Sequence, residues 1–323
     1  MPCVSVIVPI FNMKEFLPRC MSKLILQNYF DYEIILVDDG STDGSSEMCD
    51  WYAEMHSNLV RCIHKTNGGL SSARNAGMDV AQGEYVIFPD PDDWVENNYL
   101  ERLVALQKQY TVDLVCTGHF IDYDDRSIEA NRNQTLRLIS SKEAQKALLI
   151  SPCMGGFAWN KLFHLKIIRL HNLRFLDDVG TTEDLDFAFR YLQYCKEVCF
   201  APEIRTYHYY QRSGAATHGG FSVKKLQAIR TYEKILATSG ATSDIGKAAK
   251  EDICNTAINL IPMYWNSDEK DVICYQKIRN YIKMYYSDYL KSSRYSKGRK
   301  LQAIFARYIP KTYCKIKNVI SRE

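Results

Sequence analysis

Over its first 122 residues the chain alternates strand and helix signals, and nothing else narrows its fold as much. Val4 to Pro9 reads as a strand buried on both faces, and Glu15 to Gln27 carries Leu17, Cys20 and Leu24 on one helical face. Glu33 to Val37 is a second apolar strand, ending at the turn-rich Asp38-Asp39-Gly40-Ser41-Thr42-Asp43-Gly44-Ser45 that leads into a helix through Met55. Val60 to His64 is a third strand, followed by the Gly-led turn Asn67-Gly68-Gly69 and another helix. Tyr85 to Phe88 is the fourth strand; a helix near Glu96 to Gln109 and a strand from Asp113 to Ile121 complete the series. Repeated βα units imply an α/β fold with a Rossmann-like, mainly parallel, doubly wound sheet. Ligands of such sheets sit beyond the carboxyl ends of the strands. The polar clusters after the first four strands are therefore expected to converge on one crevice.

The cluster after the fourth strand carries the most chemistry. In Glu84-Tyr85-Val86-Ile87-Phe88-Pro89-Asp90-Pro91-Asp92-Asp93-Trp94 an apolar run delivers three carboxylates to a strand tip. Crowded carboxylates repel one another unless a cation sits among them, and hard cations such as Mg²⁺ or Mn²⁺ take oxygen ligands and share themselves with substrate phosphates. The other reading is a solvated acidic turn, since Asp and Pro are ordinary turn residues.

Composition excludes several classes. Eleven cysteines lie scattered without a CxxC pair, which by spacing argues against a zinc site or a disulfide framework and for a reducing cytosol. The apolar run Val4 to Phe11 is short and has no basic residue before it, unlike a signal peptide, and no stretch has the roughly 20 apolar residues of a membrane-spanning helix. The expectation is a cytoplasmic protein, soluble or peripheral on the cytoplasmic membrane face. A Rossmann dinucleotide site needs GxGxxG after the first strand, where this chain has Pro9-Ile10-Phe11-Asn12. A Walker loop is also missing. Asp38-Asp39-Gly40-Ser41 lacks the DxD spacing of haloacid-dehalogenase-like phosphatases, and the GGxGTRL start of sugar nucleotidyltransferases is absent.

Five segments in order resemble one family. They are Val4 to Asn12, Val37 to Asp43, Asn67 to Leu70 with Ala73-Arg74-Asn75, Asp90 to Trp94, and Glu183-Asp184. Together, across roughly residues 3 to 220, they resemble a family 2 glycosyltransferase with the GT-A fold. The resemblance implies an inverting, Mn²⁺- or Mg²⁺-dependent transferase that takes a nucleotide-diphospho-sugar, most naturally a UDP-sugar, to a glycan, lipid-linked or protein-linked acceptor. It implies that Pro9, Phe11, Asn12 and Asp39 hold the base, with Phe11 stacking on uracil and Asp39 accepting from its N3–H. Asn67, Gly68 and Arg74 line the nucleoside and diphosphate, though Arg74 also reads as a surface helix cation and Asn67-Gly68 as a plain turn. Asp90 faces the ribose, Asp92 the metal, and Asp93 is a third carboxylate that orients its neighbours. Asp184 matches the second acid of the family's xED motif and is implied as the base; Glu183 and Asp186 are the nearby alternatives, and acids are favoured in any first helical turn. Arg212 binds phosphate and His218 is the candidate metal ligand in a following loop, while His208, between tyrosines of a strand, also reads as a packed sheet residue. Trp159 is either the floor of an acceptor-sugar site or part of the core.

The expected boundary lies near Gly220, giving a nucleotide-sugar-binding domain over 1–220 and a helical, basic extension over 221–323. From Lys291 onward there are ten Lys/Arg and one acid, a charge of +9, against 31 basic and 37 acidic residues before it. Leu301, Ile304, Phe305, Tyr308, Tyr313, Ile316, Val319 and Ile320 recur at helical spacing among Lys300, Arg307, Lys311, Lys315 and Lys317. This pattern suits an anionic membrane surface or a helix packed on the body with a solvated basic face. Nucleic acid is not expected, since no RNA-reading motif accompanies the charge.

Overall fold

The computed structural model describes residues 2–130, 134–212, 220–268 and 270–320, with side chains through Lys317. The chain forms two compact units, Met1–Asp177 with Asp184–Arg212, and Asp178–Glu183 with Ser213–Glu323.

The first unit is built in the expected βα order: β1 (Val4–Ile10), α1 (Leu17–Ile25), β2 (Tyr32–Asp38), α2 (Ser45–Met55), β3 (Val60–His64), α3 (Leu70–Val80) and β4 (Tyr85–Ile87). There follow β5 (Trp94–Val95), α4 (Tyr99–Tyr110), β6 (Leu114–Asp122), β7 (Ser127–Glu129), β8 (Arg137–Ser140), α5 (Ser141–Ile150), β9 (Lys161–His164), α6 (Leu165–Leu170), α7 (Glu183–Leu192) and β10 (Glu197–Tyr210). One sheet runs β3-β2-β1-β4-β9-β6-β10-β5, with β7 on β6 and β8 on β10. The β3-β2-β1-β4 half is parallel, as the apolar runs imply. β9 departs from that pattern. It enters between β4 and β6 antiparallel to both, and β10 then returns parallel to β6.

β1 and β2 are buried along their whole length: the apolar face of α1 shares their core, and α3 packs against both strands. The approach of α3 to β1 is close enough to require glycine. A Cβ on Gly77 would lie 2.4 Å from the Ile7 side chain, so any larger residue would push α3 off the sheet and carry Arg74, one turn earlier, with it.

The second unit is helical: α8 (Val223–Gln227), α9 (Ile229–Ser239), α10 (Asp244–Trp265), α11 (Val272–Lys291), α12 (Lys297–Tyr308) and α13 (Pro310–Ile320). Its core joins Ile253, Ala257, Ile258 and Ile261 of α10 to Ile278, Ile282 and Tyr289 of α11 and to Ala303, Ala306, Tyr313 and Cys314 of the last two helices. The basic segment is thus partly structural. Arg294 is held by Glu251 and Asp252, and Arg299 by Asn255 and Asn259. Helix α12 turns its small residues inward and leaves Leu301, Ile304 and Tyr308, spaced along one face, exposed. No helix among the described residues is long and apolar enough to cross a membrane.

Candidate active site

The loops after β1, β2 and β3 are tied to one another at the carboxyl edge of the sheet. Asn12, at φ 54°, donates its amide to Ser41 Oγ (3.1 Å) and accepts from the Thr42 amide at Oδ1 (2.8 Å). Asp39, 2% exposed, accepts from Lys65 Nζ (2.5 Å) and from the amides of Gly68 (3.0 Å) and Gly69 (2.7 Å). Its oxygens already take three donors, two of them from the turn that opens α3, which leaves about one lone pair for a uracil N3–H. Pro9 lies buried within β1 and presents no open side chain. Phe11, by contrast, is 45% exposed, and Asn67 and Gly68 in the turn before α3 are also exposed.

The three carboxylates at the β4 tip have separate partners. Asp93 is 1% exposed and accepts from Tyr207 Oη (2.6 Å) and the Tyr210 amide (2.8 Å). Tyr207 Oη in turn accepts from the Asp90 amide at 3.0 Å, so one buried phenol fixes the turn from both sides. Asp92 takes Arg212 Nε on Oδ2 at 2.7 Å, and its carbonyl accepts from Arg19 Nη2 at 2.8 Å. Asp90 accepts from Arg74 Nη2 at 2.9 Å. Burial, with Asp184 and Asp92 nearby, pushes the Asp90 carboxyl up to about 7 against the opposing pull of Arg74.

Arg74 departs from its expected place along the diphosphate. It is 1% exposed, with one side of its fork on Asp90 and the other, through Nη1, on Asp184. A buried guanidinium must find carboxylates to offset its desolvation, and here it clamps the first acid of the β4 tip to the first turn of α7. The second oxygen of Asp184 accepts from the Ala158 amide at 2.9 Å. Of the neighbouring acids, Asp186 is 3% exposed and paired with Arg190, facing the interior.

The Ala158 amide sits in a loop organised by a residue that sequence reasoning passed over. Lys161 is completely buried, and its Nζ donates to the carbonyls of Met154 (2.7 Å), Gly155 (3.0 Å) and Phe157 (2.6 Å) and to Asn160 Oδ1 (2.9 Å). Three carbonyls converging on one point would be unstable without a cation among them. The signal in the sequence was a lysine opening an apolar strand, Lys161-Leu162-Phe163. Gly156 brings this loop against α7: a Cβ there would lie 2.6 Å from Leu185 Cβ and 2.9 Å from Leu185 Cα.

Trp159 is core and does not floor an acceptor site. It is 2% exposed and stacks on Tyr207 (centroids 4.4 Å apart) and Phe157 (4.7 Å), so neither face is open to a sugar. Phe157, half-buried, is the outer ring of that stack. His208 is a packed sheet residue, between Trp94 and Phe120 and bonded to Asp122 and Glu96. His218 lies outside the described residues.

A glycosyl transferase family 2 model matches residues 5–169, about half of the chain. The chain belongs to glycosyl transferase family 2. The putative glycosyltransferase EpsH of Bacillus subtilis (strain 168) is 32% identical over 212 residues, covering 64% of this chain and 60% of that relative's own length. Among solved structures, S. aureus TarS 1-349 in complex with UDP-GlcNAc superposes with a TM-score of 0.68 at 15% identity over 99% of this chain and 92% of that one. The mannosyltransferase PcManGT from Pyrobaculum calidifontis, in complex with GDP-Man and Mn²⁺, superposes with a TM-score of 0.58 at 15% identity, covering 96% and 88% of the two chains. These likenesses establish the GT-A fold for this family 2 chain, with its central mixed sheet and helical C-terminal region.

Proposed function

We propose that this family 2 chain is an inverting, metal-dependent glycosyltransferase. It moves a sugar from a nucleotide-diphospho-sugar, a UDP-hexose or UDP-N-acetylhexosamine, to a hydroxyl of a glycan, lipid-linked or protein-linked acceptor. The observation that carries this reading is the Arg74 clamp, which holds Asp184 against the acidic β4 tip. The fold shared with the UDP-GlcNAc complex of TarS supports the donor class.

The residues at the tip fit a shared hard cation. Asp92 has Oδ2 directed by Arg212 and Asp90 has Oδ1 held by Arg74, each with its other oxygen without a partner among the described residues, while both oxygens of Asp93 are engaged by Tyr207 and the Tyr210 amide. One or two carboxylate oxygens suit an ion that completes its shell with donor phosphates and water rather than an all-protein cage. Bound there, Mn²⁺ or Mg²⁺ would neutralise charge growing on the departing nucleoside diphosphate. Phe11 stacks on the base, and the Asn67 to Gly69 turn lines the nucleoside. Asp90 faces the ribose. The outer nitrogens of Arg212 reach phosphate while its Nε steadies Asp92. Asp184, fixed by Arg74 and the Ala158 amide, takes the acceptor hydroxyl's proton as that oxygen attacks the anomeric carbon opposite the leaving group. One displacement with one base inverts the configuration. The acceptor sugar rests on Phe157, the half-buried outer ring of the stack that Trp159 supports.

The C-terminal helices add a membrane-facing surface to the proposal. Leu301, Ile304 and Tyr308 form an exposed apolar row, with Lys297, Lys300, Lys311 and Lys315 nearby in the same two helices. A panel of UDP-sugars incubated with the protein and Mn²⁺ or Mg²⁺ tests the reaction. One donor should release UDP slowly without acceptor, release should stop with EDTA, and Asp92→Ala should lose the metal response. Pyrophosphate release from UTP and a sugar 1-phosphate, with no UDP released from any UDP-sugar, would identify a nucleotidyltransferase. UDP binding without release from any donor would identify a binding module.

A further inference from the structure

A second ligand cluster lies on the far side of β2 from the acidic tip. Cys62 and His64 alternate along β3, so both side chains leave the strand on the same face, toward α2, which supplies Asp50. His64 Nε2 lies 2.8 Å from Asp50 Oδ1 and 3.4 Å from Cys62 Sγ. All three donor atoms fall within 4.8 Å of one another. We propose that Asp50, Cys62 and His64 bind one Zn²⁺ ion, with an outward position left for water. This site is independent of the transferase reading and of the hard-cation site at Asp92.

The geometry suits a borderline-soft tetrahedral ion. Metal–ligand lengths of roughly 2.0–2.3 Å in a tetrahedron place N and S about 3.5 Å apart and N and O about 3.3 Å apart. The Cys62–His64 separation already matches, and the Asp50–His64 hydrogen bond needs to open by about half an ångström. Asp50 can make that shift, because its side chain is 65% exposed.

The other imidazole nitrogen is set up as zinc-binding histidines require. His64 Nδ1 lies 3.0 Å from Oδ2 of Asp38, which is 3% exposed and whose Oδ1 accepts from the Ser41 amide at 3.0 Å. A buried carboxylate aimed at Nδ1 holds the proton there, so that zinc displaces only the Nε2 proton that His64 now donates to Asp50. Thiolate and imidazole together favour zinc over Mg²⁺ or Mn²⁺, which prefer an all-oxygen shell. The buried Cys49 thiol, hydrogen-bonded to Cys62, packs behind the site. Sequence spacing concealed the cluster, because Asp50 is brought to Cys62 and His64 only by the packing of α2 on β3.

The test uses untagged, reduced, full-length protein stripped with chelator and exchanged into buffer with excess Mg²⁺ to fill hard-oxygen sites. Zinc titrated against a chromophoric competitor should bind at one equivalent, and the Co²⁺ form should show a thiolate-to-cobalt charge-transfer band. Cys62→Ser should abolish the band, and His64→Gln should weaken zinc at least 100-fold. Asp50→Asn, at an exposed position that cannot unfold the protein, should weaken it about tenfold; Asp38→Asn should weaken it about 10- to 100-fold while keeping the band. Cys3→Ser should change neither. Failure to bind an equivalent of zinc, or binding unaffected by both Asp50→Asn and Cys62→Ser, would overturn the assignment.

Discussion

Replacing Arg74 by methionine tests the clamp directly, since methionine keeps a long apolar side chain and removes the guanidinium, which also lies over the Phe175 ring at 5.1 Å. The guanidinium is 1% exposed and serves Asp90 and Asp184, whose side chains are 25% and 19% exposed. Breaking a buried pair by removing one partner costs about 3–5 kcal/mol. The partial exposure of both acids puts the expected loss near the lower end, about 3 kcal/mol, or roughly 6–12 °C in melting temperature for a unit of this size. The loss must also depend on pH. Asp90 has its carboxyl raised to about 7 in the fold, chiefly by burial. The folded protein therefore holds this proton more tightly than the unfolded chain does. The resulting stability is fully present below the unfolded value and is lost as pH rises through 7. Without Arg74 the carboxyl rises further, so protonation relieves the variant more than the wild type. Scanning fluorimetry in EDTA should show the full deficit at about pH 8 and roughly half of it at about pH 5.5. A deficit under about 2 °C at the higher pH, or one that does not shrink on acidification, would refute the clamp.

Three further outcomes follow from the same geometry. Lys161→Met should leave several carbonyls unsatisfied at about 1–3 kcal/mol each and, by loosening the Ala158 amide, lower kcat while donor KM holds; unchanged kcat in protein that remains folded would remove Lys161 from this role. Phe157→Ala should raise acceptor KM with little loss of stability, whereas Trp159→Ala should destabilise the unit by about 3–5 kcal/mol, and the reverse pattern would return the platform to Trp159. Reversing Lys300 and Lys311 to Glu should leave folding and donor hydrolysis intact but abolish salt-sensitive binding to anionic vesicles; unchanged vesicle binding would exclude this surface.

How much of this could be read from the sequence depended on the range of the interactions. Strands buried on both faces announce themselves as apolar runs, so β1, β2 and β4 lie within a residue or so of the bounds read for them; β3, largely half-buried, has the bounds read for it. Family and fold were legible because the motifs sit at strand ends, in an order that the βα repeat preserves. The antiparallel entry of β9 was not legible, since four residues of Lys161–His164 carry no sign of their neighbours. Trp159 offered two readings because aromatic residues serve cores and sugar platforms alike; only the stack on Tyr207 separates them. Arg74 could be read as a cation, but its burial depends on Asp184, 110 residues away. The basic tail misled in part, because Arg294 and Arg299 meet partners some forty residues earlier in the chain. A truncation before Lys291 would therefore uncover the core formed with Ala303, Ala306 and Tyr313, and point substitutions are the cleaner test.

The central claim is that Asp184 is the base of an inverting glycosyl transfer, and Asp184→Asn tests it most directly. The substitution is nearly isosteric; its one carbonyl oxygen keeps an acceptor for either Arg74 or the Ala158 amide, which donate to different oxygens of Asp184, so the variant's fold is checked by its melting temperature. With the donor identified from the UDP-sugar panel, single-turnover transfer by this variant should fall by about 10²–10⁴-fold while UDP and metal affinity stay unchanged. The wild-type product should carry the β-configuration from an α-linked donor. Transfer at the wild-type rate by Asp184→Asn, or an α-linked product, would contradict the account.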